Sequence, residues 1–213
     1  MQSVAAAAVF LLTTAGSLWA QDNCLEQIKL PPVGRWAEYK AVYNQKEPYT
    51  MRYAVIGTET REGKKLQWVE MRMTGEKKNR NLISQMLVPG SLTEMGKVQE
   101  IVLKSGDQPA MKMDGMMMGM IRGQLEQQSF YDKVCDKVSL VGQESITVPA
   151  GRFETLHFRS SEHEADSWLA PKVPFSLIKS VGKQYQMELV AQGDGAKSSI
   201  TEKPQEMRGM RGP

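Results

Sequence analysis

From Gly34 onward the chain alternates apolar and polar side chains with a period of two, the spacing that sends successive residues to opposite faces of an extended strand. Ala37, Tyr39, Ala41 and Tyr43 fall on one side of the segment Gly34 to Tyr43, with Glu38 and Lys40 on the other. Pro48 to Thr58 repeats the pattern, setting Tyr49, Met51, Tyr53 and Val55 against Thr50 and Arg52, and Asn44 to Glu47 turns between the two. Lys65 to Thr74, Arg80 to Val88 and Lys97 to Lys104 continue the series. Lys137 to Val148, Arg152 to Ser160, Asp166 to Ala170, Lys183 to Gln192 and Ala196 to Glu202 resume it. Turn formers punctuate these runs at Glu62-Gly63, Gly75, Pro89-Gly90 and Gly106. Short strands at this spacing predict a mainly β chain, an antiparallel open barrel or sandwich of about nine or ten strands. The one helical interruption is a short lid-like segment from Gly115 to Gln128.

The first twenty residues carry no charged side chain, and Val4 to Leu12 is an apolar run of secretory length, too short to span a bilayer. Ala20 before the polar Gln21-Asp22-Asn23 places cleavage after residue 20, although the usual basic start is missing and Leu18 is bulky for its place before the cut. Residues 1–20 therefore read as a signal peptide, 21–203 as a single β-rich domain and 204–213 as a flexible tail. The domain is expected to be soluble and periplasmic or extracellular, with no transmembrane segment in the mature chain. Lipid attachment at Cys24 is disfavoured because polar residues precede it where small apolar ones are required. The 27 basic and 24 acidic residues are interleaved, the mark of a solvated surface and not of a nucleic-acid footprint.

Cys24 and Cys135 are the two cysteines, and an exported chain meets an oxidising compartment in which a lone pair bonds. The expectation is a disulfide. Six methionines crowd the ten residues from Met111 to Met120. Met111, Met113, Met116, Met117, Met118, Met120 and Ile121 are candidates for an adaptable apolar lid over a ligand, because methionine is unbranched and polarizable. Thioethers also select Cu(I), which would draw on Met113, Met116, Met117, Met118 and Met120, though no histidine stands among them. Ordinary core packing is the third reading. Gly115, Gly119 and Gly123 share one helical stripe and each weakens the helix by about 1 kcal/mol relative to alanine.

His157 and His163 are the only histidines, and the sequence around the second, Glu162 to Asp166, reads as a charged hairpin tip. No nucleophile elbow, P-loop or zinc motif is present, so no catalytic residue, cofactor or enzymatic activity is expected. The stretch Val148-Pro149-Ala150-Gly151-Arg152-Phe153, followed by Trp168 and by Pro171-Lys172-Val173-Pro174-Phe175 with Lys179 beyond, resembles a pattern of exported bacterial β-domains. More loosely, the mature chain looks like the lipoprotein-localisation-factor (LolA/LolB-like) half-barrel group. That resemblance implies a half-barrel enclosing an apolar cavity under a lid, and it assigns no residue a role.

The leading functional expectation is a non-catalytic periplasmic domain that binds an apolar small molecule, such as a lipid or a lipoprotein acyl chain. The alternatives are a structural or interaction protein with a filled core and a cell-envelope protein as partner, and a Cu(I)-handling protein. N-terminal sequencing of the exported protein is expected to begin at Gln21; a retained Val4 to Leu12 segment or a lipid-modified Cys24 would contradict it.

Overall fold

Every strand needs a neighbour to receive its backbone N–H and C=O groups, and here a single sheet supplies them all. The computed structural model describes residues 24–44, 46–75, 81–90, 97–128 and 134–207. The expected signal peptide and the basic cluster at 76–80 lie outside them. The strands are β1 (Trp36–Tyr43), β2 (Tyr49–Arg61), β3 (Lys64–Gly75), β4 (Leu82–Pro89), β5 (Glu100–Ser105) and β6 (Met111–Met113), then helix α1 (Gly115–Gln128). After it come β7 (Val138–Val148), β8 (Gly151–Ser160), β9 (Ala165–Leu169), β10 (Leu177–Val181), β11 (Tyr185–Gly193) and β12 (Gln205–Met207). Their order in space is β12-β6-β5-β4-β3-β2-β1-β11-β10-β9-β8-β7. Two antiparallel meanders are thus joined where β1 pairs with β11, and only β12, lying parallel to β6, departs from the antiparallel rule.

This corrects the expected count and excludes the sandwich: among the described residues there are twelve strands in one open sheet. β6 and β12 are three residues long and β10 five, too short for a period of two to show. Ala196 to Glu202, expected as a strand, is instead a strap across the outer face. The Ser199 N–H goes to the Glu70 carboxylate at 2.8 Å, so a side chain takes the bond a neighbouring strand would have taken. Beyond the strap, Gln205–Met207 pairs with Met111–Met113 inside the stretch expected to be a flexible tail, and residues 208–213 lie outside the described residues.

One face of the sheet carries the main core, to which β1 to β11 and α1 all contribute buried side chains. A second, smaller cluster of Val102, Ala110 and Ile200, with Trp68 and Ile83 against it, sits beneath the strap. The Val148-Pro149-Ala150-Gly151 turn folds back onto the first strands of its own meander. The Ala150 N–H donates to the Leu189 carbonyl at 3.3 Å, and Gly151 supplies the φ of +127° that the turn requires. Phe175 and Ser176 adopt successive left-handed conformations, φ 62° and 61°, each a costly state for a non-glycine residue. They are held by the return on burial: Phe175 is fully enclosed with its ring 5.7 Å from that of Tyr53, and the Ser176 hydroxyl donates to the Gln27 carbonyl.

Cys24 and Cys135 form the expected disulfide, both fully buried and 5.6 Å apart at Cα. It ties the helical turn at 24–27 to the segment between α1 and β7, and it occupies the Cys24 sulfur that a lipid anchor would need. Cross-linking residues 111 apart removes unfolded-chain entropy worth about 4 to 5 kcal/mol. Replacing both cysteines by serine should therefore lower the urea unfolding free energy by about 4 kcal/mol; an unchanged midpoint would show that the bond adds nothing.

Candidate functional site

Directly opposed residues of antiparallel strands share a face, so the register reveals what lines the core side of the sheet. Ala41 stands opposite both Tyr49 and Met187, Tyr39 opposite Met51, and Ala37 opposite Tyr53. Met51 in turn faces Met73, and Tyr53 faces Met71. Ala37, Tyr39 and Ala41 are buried, whereas Tyr49, Met51, Tyr53, Met71 and Met73 are only half-buried. The inner face is therefore filled around β1 and incompletely covered over β2 and β3.

At the end of β1, β2 and β11 this incomplete covering opens into a cleft of about 510 Å³. Ala41, Tyr49, Met51, Tyr53 and Met187 give it apolar walls, with Tyr43, Tyr185, Gln184, Lys183 and His163 around the mouth. The volume suits a small ligand or part of a larger one. Burial, and then the neighbouring phenols, raise the Tyr49 and Tyr53 hydroxyls above the usual tyrosine range, so the walls stay uncharged. The mouth is close to balanced: Lys183 lies 3.8 Å from Glu164, and His163 lies 3.5 Å from Asp136. The Tyr43 hydroxyl donates to Gln184 at 3.1 Å and frames one side.

None of the methionine-segment candidates whose side chains are described lines this cleft. Met113 and Met118 are buried in the core cluster, 7% and 5% exposed, and Met117 and Ile121 pack against it. Met111 is half-buried on β6, and the Met116 side chain lies outside the described residues. Met120 is 70% exposed. Two residues apart on a helix, Met118 and Met120 point in nearly opposite directions. The helix starts at Asp114, whose Oδ1 accepts from the Met117 N–H at 2.9 Å, and Arg122 ties it to the Val98 carbonyl at 2.8 Å. Gly115, Gly119 and Gly123 face open space, so the weakness they confer has no packing compensation.

The densest cluster of titratable groups lies on β7, β8 and β9. His157 Nδ1 is 2.8 Å from Glu144 and Nε2 is 2.7 Å from Asp166, and its ring stacks on Trp168 with centroids 4.5 Å apart. The Trp168 indole donates to the same Glu144, Arg159 donates to Asp166, and Lys179 lies over the Trp168 ring. Both imidazole nitrogens are engaged by carboxylates. No group of three or more His, Cys, Asp or Glu side chains able to hold a metal ion occurs among the described residues. Of the expected hairpin tip, residues 162–164 are turn, with Glu162 paired to Lys137, whereas Ala165 and Asp166 already belong to β9.

No family model matches the chain, and no curated protein matches it. Among solved structures it is similar to a protein from Bacteroides fragilis described as exported and of YmcC-like fold. The two share 12% identity and a TM-score of 0.43, over 78% of this chain and 99% of that one. A protein from Parabacteroides distasonis described as a lipoprotein gives 12% identity and a TM-score of 0.36, over 77% and 97%. These are likenesses of outline, and neither names the lipoprotein-localisation-factor group. No helix among the described residues is long and apolar enough to cross a membrane.

The His157 cluster has a pH signature. Burial raises the Asp166 carboxyl, but hydrogen bonds from His157 and Arg159 outweigh it and hold the group below its ordinary value. The pairing therefore stabilises the fold fully above the unfolded aspartate value, about 3.9, and the contribution is lost as pH falls through the lower folded value. Urea midpoints between about pH 5 and 2 should fall less steeply for Asp166→Asn than for the wild type; parallel curves would contradict the assignment.

Proposed function

We propose that this protein is a non-catalytic domain of the cell envelope that binds an apolar ligand, such as a lipid or an acyl chain, in the cleft at β1, β2 and β11. The observation that carries the reading is the half-buried Tyr49, Met51 and Tyr53 beside Met187, an uncharged apolar wall open to solvent at one end of an otherwise filled core. Apolar surface left in a concave site gains by removal from water at about 25 cal/mol per Å². Methionine side chains accommodate ligands of differing shape. A location outside the cytoplasm is supported by the Cys24–Cys135 disulfide and by the character of residues 1–20.

The filled-core alternative has its own support in Met113 and Met118, which pack as ordinary core. The two readings divide the molecule: α1 closes one region, and the tyrosine-methionine cleft leaves another open. Binding of a fluorescent apolar probe to the purified protein distinguishes them. Met51→Gln with Met187→Gln keeps side-chain volume while making the wall polar, and should weaken the probe about tenfold, the equivalent of about 1.4 kcal/mol. Serine at Met116, Met117 and Met118 should chiefly lower stability, by about 2 kcal/mol or more for the buried Met118. A probe that binds the double variant as tightly as wild type would place the apolar site elsewhere.

A further inference from the structure

Arg52 of β2 and Arg72 of β3 stand directly opposite each other on the outer face of the sheet. Like charges in this position repel, and strands ordinarily avoid the pairing. The carboxylates nearby form no ion pair with either arginine. Both oxygens of Glu70 are taken by Gln85 and the Ser199 backbone and hydroxyl, and Glu38, although opposite Arg52 on β1, makes no ion pair with it. Among the described residues Arg72 has no hydrogen bond or ion pair, and the Arg52 Nε is the buried side-chain nitrogen left without a partner.

Arg52 is nonetheless held in place. Its guanidinium carbon lies 4.3 Å from the centre of the Trp36 ring. That ring is fixed in turn: its indole N–H donates to the Asp194 carbonyl at 3.2 Å, and it presses on Gly193, where a Cβ would come within 2.9 Å of the ring. With one face of the guanidinium covered and Nε sealed, its open Nη edge is the approach left for a partner. Two arginines side by side without a salt-bridge partner match one anion carrying two negative charges and several acceptor oxygens, which a phosphate provides and a single carboxylate does not.

We propose that Arg52 and Arg72 form a binding site for a phosphate group on the outer face of β2 and β3, with Trp36 as the platform that positions Arg52. The site is separate from the cleft and does not depend on the ligand proposed there. The phosphate belongs either to a soluble phosphoester or to a phospholipid headgroup, and the two sources are separable.

Isothermal titration of the mature chain with inorganic phosphate at constant ionic strength is expected to give a saturable isotherm. Arg72→Gln should weaken it at least tenfold while changing the melting temperature in chloride little, because the Arg72 side chain makes no hydrogen bond or ion pair within the protein. Arg52→Gln should weaken it likewise, and Lys40→Gln, on the same face but outside the pair, should not. Flotation with phosphatidylcholine vesicles, with and without phosphatidylglycerol, then identifies the source. Retention on the anionic vesicles that Arg72→Gln abolishes supports a headgroup, and phosphate binding without retention supports a soluble phosphoester. No saturable phosphate binding, binding that survives the double substitution, or an equal loss in Lys40→Gln would overturn the proposal.

Discussion

The pairing of β1 with β11 is the contact on which the rest of the molecule depends. It brings together strands more than a hundred residues apart, with Tyr39 opposite Leu189 and Ala41 opposite Met187, and it converts two local meanders into one sheet. Closing so long a loop is entropically costly, and the cost is offset by the fully buried side chains that meet along the seam. Tyr39 is among them, and its hydroxyl is not abandoned there: it donates to the Leu177 carbonyl at 3.1 Å. The cleft opens at one end of this seam, and the strap leaves β11 at the other to cross the outer face. Both candidate sites are consequences of the same junction.

Coverage differs between the two faces of the sheet. The inner face is closed by the disulfide-linked segments, by α1 and by the Phe175 turn, whose left-handed backbone is tolerated because a phenyl ring is delivered against Tyr53. On the outer face the strap lies over Val102 and Trp68, with its own Ile200 packed against them, and there Glu70 is buried and hydrogen-bonded through both oxygens. Beside the strap, Arg52 and Arg72 make no ion pair among the described residues. Polar groups within the covered zones find partners, and those at its margins are where a ligand has something to add.

Much of the architecture was legible as pattern. The longer strands and the helix at Gly115–Gln128 emerge from periodicity and glycine punctuation, and the disulfide from an even cysteine count in a chain expected to be exported. The Pro149 and Pro171 to Phe175 motifs proved architectural, a docked turn and a buried aromatic. The cleft was not legible. Met51, Tyr53 and Met187 are ordinary strand residues, and nothing local distinguishes them from Met113 or Met118. The conspicuous methionine run drew attention because it is dense, but density along the chain says nothing about which side chains stay uncovered.

The amino-acid sequence by itself determined the strand class, the alternation that assigns side chains to two faces, the cysteine pair and the helix at Gly115–Gln128, because each depends on neighbours within a few residues or on composition. The tertiary structure alone decided that Ala196 to Glu202 is a strap, that Gln205–Met207 joins the sheet, and that Arg52 meets Arg72. Those outcomes depend on register and on the partners available across the sheet. A backbone N–H satisfied by Glu70 and one satisfied by a neighbouring strand are indistinguishable until the chain has folded.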